Sequence, residues 1–234
     1  MSRRFLAGPL PSRKDVVVLS QTVSHHLLRV VQVPRGSRVV LFDGEGREAE
    51  GELIGVEDGL ASVRLLEDPR AVRSGHPLVL VAGLPRKPAW DHSLRMATEL
   101  GVTEIRAFPA QRSVVRSGNA ERWARVVEAA ARQCGRSDVP RLVSCTDLTQ
   151  ALEDLPEQRL VCVPGEPNRE PRDTGTAVLV GPEGGLTDLE LSKPKPPASA
   201  PSDSPAGRSE PTPRWPQHSP CSEPLSPPES WLRS

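Results

Sequence analysis

The chain contains no tyrosine and only three phenylalanines, and aromatics make up 3% of its 234 residues. That scarcity argues against a nucleic-acid surface built from stacked aromatic platforms. The four cysteines (Cys134, Cys145, Cys162 and Cys221) are scattered, with no C-x-x-C pair and no histidine at ligand spacing. This argues against a zinc site and against a disulfide framework, and the expectation is a reducing cytoplasm and no metal. Arg3 and Arg4 are not followed by an apolar stretch before Arg13 and Lys14, so no secretory signal is read there. The longest apolar run, residues 78–84, is far too short to cross a bilayer, and no membrane partner is expected.

Net charge is zero overall, but its distribution is uneven. In residues 1–44 the cations Arg3, Arg4, Arg13, Lys14, Arg29, Arg35 and Arg38 face only Asp15 and Asp43. A second cationic run holds Arg106, Arg112, Arg116, Arg122, Arg125, Arg132, Arg136 and Arg141. Arginine clusters suit phosphate, because the guanidinium fork pairs with it bidentately. A solvated, arginine-rich surface is the plainer alternative.

Residues 1–72 carry short β-like runs at 39–42, 53–56 and 62–66. Turn signals at Asp43-Gly44, Gly51, Gly55 and Asp58-Gly59 separate them, which predicts a small barrel. Residues 23–33 have helical apolar spacing. From about Pro77 strands and helices alternate. Apolar runs at 78–83, 104–108, 160–163 and 177–180 read as strands. Residues 90–100 place Trp90, Leu94, Ala97 and Leu100 on one helical face. Asn119 starts a helix with Trp123, Val127, Ala130 and Cys134 on one stripe, stopped by Gly135, and residues 147–155 form a short helix. This alternation predicts an α/β fold with a mostly parallel, three-layer sheet.

Ligands of such sheets sit at the carboxyl ends of strands. Gly181-Pro182-Glu183-Gly184-Gly185 lies there, after the last strand and before Thr187 and Glu190, which form a T-x-x-E capping box. Taken alone, the loop is either a tight turn or an approach for a ligand to bare backbone. It is neither a dinucleotide fingerprint nor a Walker loop.

Four strings in order narrow that choice. "SHHLLRVVQVPRGSRVVLFDGEG", "MATELGVTEIRAFPAQRSVVR", "RWARVVEAAARQCGRSDVP" and "VLVGPEGGLTDLEL" resemble the RsmE-type 16S rRNA (uracil-N3)-methyltransferases of the SPOUT superfamily. The resemblance spans residues 16–191. It implies a PUA-like β-barrel for RNA binding at 1–72 and a SPOUT α/β methyltransferase domain with a trefoil knot at 73–191. It also implies S-adenosyl-L-methionine as cofactor, N3 of one uridine in 16S rRNA of the small ribosomal subunit as target, and a homodimer without metal.

By the same resemblance, Gly181, Pro182, Glu183, Gly184 and Gly185 line the cofactor pocket. Arg112 and Ser113 match an E-R-S-V segment in which Gln111 replaces glutamate. Glu128, Gln133, Gly135 and Arg136 match an E-A-x-x-Q-x-G-R signature. Candidate RNA contacts are Arg3, Arg4, Arg13, Arg112 and Arg136. Methylation at N3 requires loss of the uracil proton, so a base or an anion-stabilising cation would help. Arg136 is open to that role, to a phosphate contact, or to a salt bridge with Glu128. Glu183 either lies near the sulfonium or only fixes the loop. No catalytic base is assigned. Trp90 and Trp123 read as packing.

Past Leu191 the pattern fails. The family's "L-G-x-x-I-L-R-x-E-T-A" segment, which completes the knot and another wall of the pocket, is absent. Residues 193–234 hold twelve of the 26 prolines, and 192–234 is expected to be a disordered tail. A shifted reading of "RSEPTPRWPQHSP" resembles the missing segment, which suggests a frameshifted C-terminus and an incomplete knot. An inactive relative that only binds rRNA is the alternative function.

Overall fold

Strand pairing sorts the chain into two sheets of opposite character. The computed structural model describes residues 3–72, 75–162 and 174–192. Of the expected tail, 192–234, only Ser192 is described, and 193–234 lie outside the described residues.

The first sheet contains β1 (Arg4–Leu6), β2 (Val16–Val18), β3 (Arg38–Phe42), β4 (Arg47–Glu57), β5 (Leu60–Leu65) and β6 (Arg70–Ala71). Its order is β1-β3-β4-β5-β2, with β6 on β4. It wraps a core of Phe5, Leu19, Leu27, Leu41, Leu53 and Val63. α1 (Gln21–His25) runs into a π-helical turn at His26–Val30, so the helical spacing of 23–33 is realised in two pieces.

The glycines expected as turns at Gly51 and Gly55 lie inside the eleven-residue strand β4. A Cβ on Gly51 would sit 2.5 Å from Val63 Cγ1, so this glycine permits close strand approach and does not end a strand. The register shifts between Leu53 and Gly55, a bulge. True hairpin turns occur at the other two signals. Asp43 Oδ1 accepts from the amides of Glu45 (2.7 Å) and Arg47 (2.9 Å). Asp58 and Gly59 both have positive φ, 49° and 79°, as a two-residue hairpin turn requires. Strands β1 and β2 are too short for an alternating pattern to announce them.

The second sheet is wholly parallel. It comprises β7 (Leu78–Gly83), β8 (Glu104–Phe108), β9 (Arg141–Ser144), β10 (Gln158–Val161) and β11 (Thr176–Val180), in the order β10-β11-β7-β8-β9. One face is covered by α2 (Lys87–Glu99) and α3 (Ala120–Cys134), which bury Trp90, Leu94, Trp123 and Val127. The indoles of Trp90 and Trp123 meet edge to face, 5.4 Å between centroids, a geometry worth about 0.5–1.5 kcal/mol beyond area burial. The other face carries α4 (Leu148–Ala151) and α5 (Asp188–Leu191).

Asn119 Oδ1 accepts from Arg122 N at 2.9 Å and starts α3, and Gly135 ends it in the left-handed region at φ 84°. Two expected stripe residues are exposed instead. Leu100 lies past the last turn of α2, and Cys134 is the final residue of α3. No helix among the described residues is long and apolar enough to cross a membrane.

The two sheets meet at Ser137. Its hydroxyl donates to Glu48 Oε2 (2.6 Å) and accepts from Arg4 Nη2 (2.7 Å), while Arg4 also pairs with Glu48 at 2.6 Å. Main-chain bonds run beside them: Gly44 N and Gly46 N donate to Ser137 O, and Val139 N donates to Gly44 O at 2.8 Å. Burial alone would raise the Glu48 carboxyl, but the hydrogen bonds from Ser137, Arg4 and Arg70 outweigh it and hold the group below its ordinary value.

A glutamate lowered in the folded state stabilises fully above its unfolded value, about 4.3, and loses that contribution as pH falls through the folded value. Urea melts should therefore show stability falling below about pH 4.3, with part of the fall missing in Glu48→Gln. Glu48→Ala, which strands the Arg4 charge, should cost about 3–5 kcal/mol.

Candidate functional site

The loops that leave the carboxyl ends of β7, β8 and β11 converge on residues 181–186. Their approach begins with a missing side chain. Gly83 closes β7, and a Cβ there would lie 2.6 Å from Pro182 Cδ and 3.2 Å from Ala110 Cβ. Pro182 is buried against this bare backbone. Gly185 adopts φ +70°, and its amide donates to Pro182 O at 2.8 Å, which turns the loop back on itself. Gly184 packs so closely that its Cβ would sit 3.1 Å from Arg112 Cβ. A Cβ on Gly181 would lie 3.1 Å from the amide nitrogen of Leu186.

Three side-chain ties hold this loop. Glu183 Oε1 accepts from the amide of Arg86, the residue before α2, at 2.9 Å. That hydrogen bond holds the carboxyl below the usual glutamate range. Arg112 Nη1 donates to the carbonyls of Gly184 (3.1 Å) and Leu186 (3.4 Å). Glu190 divides its carboxylate. Oε2 accepts from Thr187 N at 2.9 Å and closes the capping box, while Oε1 accepts from Gln111 N at 2.8 Å. On the β8 side, buried Ser113 accepts from Ala110 N through its hydroxyl at 3.1 Å, and Arg116 donates to Ala110 O and Gln111 O. Backbone from three strand ends is thus pinned together around residues 181–186.

The structure brings Gly181, Pro182, Glu183, Gly184, Gly185 and Arg112 together. Arg3 and Arg13 are exposed on the first sheet's unit, where Arg13 N donates to Asp68. Arg4 and Arg136 are engaged within the fold. Arg4 sits 11% exposed in the Glu48–Ser137 cluster, with its guanidinium carbon 5.6 Å from the Phe42 ring centroid. Arg136 pairs with Asp138, not with Glu128, and its Nη1 donates to Thr98 O (2.6 Å) and Val102 O (2.9 Å). Those bonds satisfy carbonyls at the end of α2, a need that any helix terminus creates. Gln133 is exposed on α3, and Glu128 is half-buried there.

Sequence reasoning missed Gly83, Arg86 and the reach of Glu190 to Gln111. Gly83 carried a usable signal, a glycine at the last position of an otherwise bulky buried strand. The partners of Arg86 and Glu190 are 97 and 79 residues away, a relation that local pattern does not encode. Among the described residues no cluster of three His, Cys, Asp or Glu could hold a metal ion.

A family model for an RNA methyltransferase domain matches residues 73–198. Among curated proteins, ribosomal RNA small subunit methyltransferase E of Bacillus subtilis is 27% identical over 190 residues, which cover 72% of this chain and 74% of that protein. Its namesake in Synechocystis is 29% identical over 206 residues, covering 82% and 67%. Among solved structures, ribosomal RNA small subunit methyltransferase E from Neisseria gonorrhoeae, bound to S-adenosyl methionine, superposes with a TM-score of 0.71 at 25% identity, over 81% of this chain and 84% of that one. A Legionella pneumophila protein in complex with SAM has a TM-score of 0.71 at 22% identity, over 82% and 84%.

Gly83→Ala should force Pro182 off the strand end and cost about 1–3 kcal/mol, the usual range for overpacking. Thermal denaturation measures the change, and limited proteolysis should show cleavage after residues 181–186 that the parent chain resists.

Proposed function

Since this chain belongs to the RNA methyltransferase family, whose model spans more than half of it, we propose that it methylates RNA of the small ribosomal subunit with S-adenosylmethionine as donor. The observation that carries this reading is the pinned glycine loop. It lies at the carboxyl ends of three parallel strands, where such sheets place ligands, and inside the segment that the family model matches. The donor fits what is present. The glycines at 181, 184 and 185 keep the loop backbone thin and close-packed, and Leu186 adds an apolar side chain beside it. S-adenosylmethionine supplies an activated methyl group on its sulfonium.

The finer reading places the methyl on N3 of one uridine in 16S rRNA. The neutral base must give up its N3 proton, so the chain must favour a uracil anion near the loop. Glu183 is poorly suited as the base, because its carboxylate is engaged by the Arg86 amide and that bond lowers its basicity. Arg112 is the cation nearest the task, fixed over the loop by two carbonyls. Arg3 and Arg13 are left to the phosphate backbone, and the barrel-like unit docks the RNA. A cytoplasmic homodimer is part of the same reading.

One observation favours a second reading, a chain that binds rRNA without methylating it. Leu189 of α5 and Val114 of the loop after β8 stand 74% and 70% exposed. Both are apolar side chains left uncovered among the described residues, next to elements that tie the loop down.

Isothermal calorimetry with S-adenosylmethionine and primer extension on deproteinised 16S rRNA separate the readings. Reverse transcriptase should stop at one uridine only when protein and donor are both present. Gly184→Val, which pushes on Arg112, should weaken donor binding at least about tenfold, or 1.4 kcal/mol. Donor heat and RNA affinity without a stop would establish the second reading. Absence of both donor and RNA binding would end the first and the second.

A further inference from the structure

Away from the glycine loop, α2 and α3 leave a groove between them of about 260 Å³. Arg95, Arg122, Arg125 and Gln133 line it, with apolar surface from Val126, the exposed Ala129 and the buried Ala130. Its volume falls below the roughly 300–1,000 Å³ of pockets that enclose small molecules. The shape suits one stretch of a polymer lying across it.

The charge is one-sided. Arg122 binds Asp91, and that bond, together with Lys87 and Arg95 nearby, holds the Asp91 carboxyl below its usual range. Asp91 thus lies in the field of three cations, and none of the residues that line the groove is acidic. Arg95 and Arg125 are exposed, and neither is ion-paired among the described residues. Arg125 Nε donates only to a main-chain carbonyl, Glu121 O.

Position supplies the remaining support. From Arg122 to Gln133 the groove follows α3 for about 16 Å, at 1.5 Å per residue. Its upper end adjoins the loop that carries Arg112 to the glycine turn. Its lower end lies just before Arg136 and Ser137, where the first sheet's unit is attached. A strand lying in it would run between the pinned loop and the barrel-like unit. Arginine planes and small apolar floors accept splayed bases, while the guanidinium forks accept phosphates.

We propose that the α2–α3 groove is a track for a single-stranded segment of the RNA substrate, with phosphates on Arg95 and Arg125 and a base against Val126 and Ala129. The proposal rests on the RNA methyltransferase reading above and adds to it a second contact region.

The test uses the full chain, deproteinised 16S rRNA and a fluorescent oligouridine, titrated between 50 and 200 mM salt. Removing one arginine–phosphate pair from a single-strand complex lowers the log–log salt slope by about 0.7. Arg95→Gln/Arg125→Gln should therefore lower it by about 1.4 and weaken oligouridine binding several-fold at low salt, with donor heat unchanged. Ala129→Trp, which fills the groove without altering charge, should weaken binding at an unchanged slope. Parental affinity and slope in both variants would overturn the proposal and leave the methyltransferase reading intact. So would a change in sedimentation mass without a change in RNA affinity, which would assign the groove to a second copy of the chain. If the parent chain binds neither rRNA nor donor, the methyltransferase reading falls and takes the proposal with it.

Discussion

The contact on which the site depends is made by an atom that is not there. Parallel pairing of β11 with β7 brings Pro182 to the end of Gly83, and the absent Cβ leaves room for the proline ring. From that seat the chain can turn at Gly185 and present its backbone to the strand ends. Everything else at the site is trim on this arrangement. Glu183 ties it to α2, Arg112 ties it to the β8 loop, and Glu190 joins both α5 and residue 111 to it. All three ties lie on the surface, where a single hydrogen bond contributes only about 0.5–1.5 kcal/mol. Their effect is to limit the conformations of one short loop more than to stabilise the whole fold.

Arginine is abundant in this chain, and its arginines do different jobs. Arg4 and Arg136 are taken up by the architecture, one in the joint between the sheets and the other at the carbonyl end of α2. Arg106 likewise pairs with Glu104 on the interior strand β8. Arg112 and Arg116 donate to main-chain carbonyls around the site. Arg3, Arg13, Arg95 and Arg125 present their guanidinium groups to solvent. Net charge of zero conceals this division.

Much of the second sheet was legible because its strands are buried on both faces and read as apolar runs, and because Asn119, Gly135 and Thr187 carry cap chemistry that acts locally. The loop 181–185 was legible for the same reason: glycine content and position after a strand are local facts. Illegible parts were of two kinds. β1, β2 and β9 are three or four residues long, and β9 has no fully buried position, so no pattern could mark them. Gly51 was misread and the partners of Arg136 were not foreseen, because their reasons lie across space, in Val63 and in the end of α2. The sequence shows that a glycine or an arginine is present, but not which distant atom requires it.

The joint at Ser137 is a short main-chain seam, with amides and carbonyls of residues 44, 46, 137 and 139 bonded across it and a buried carboxylate beside them. A seam of that kind has a register, and a register fixes an angle. The seam thus sets how the two sheets face each other in this structure, and anything that touched both would meet them at the spacing that this handful of bonds defines.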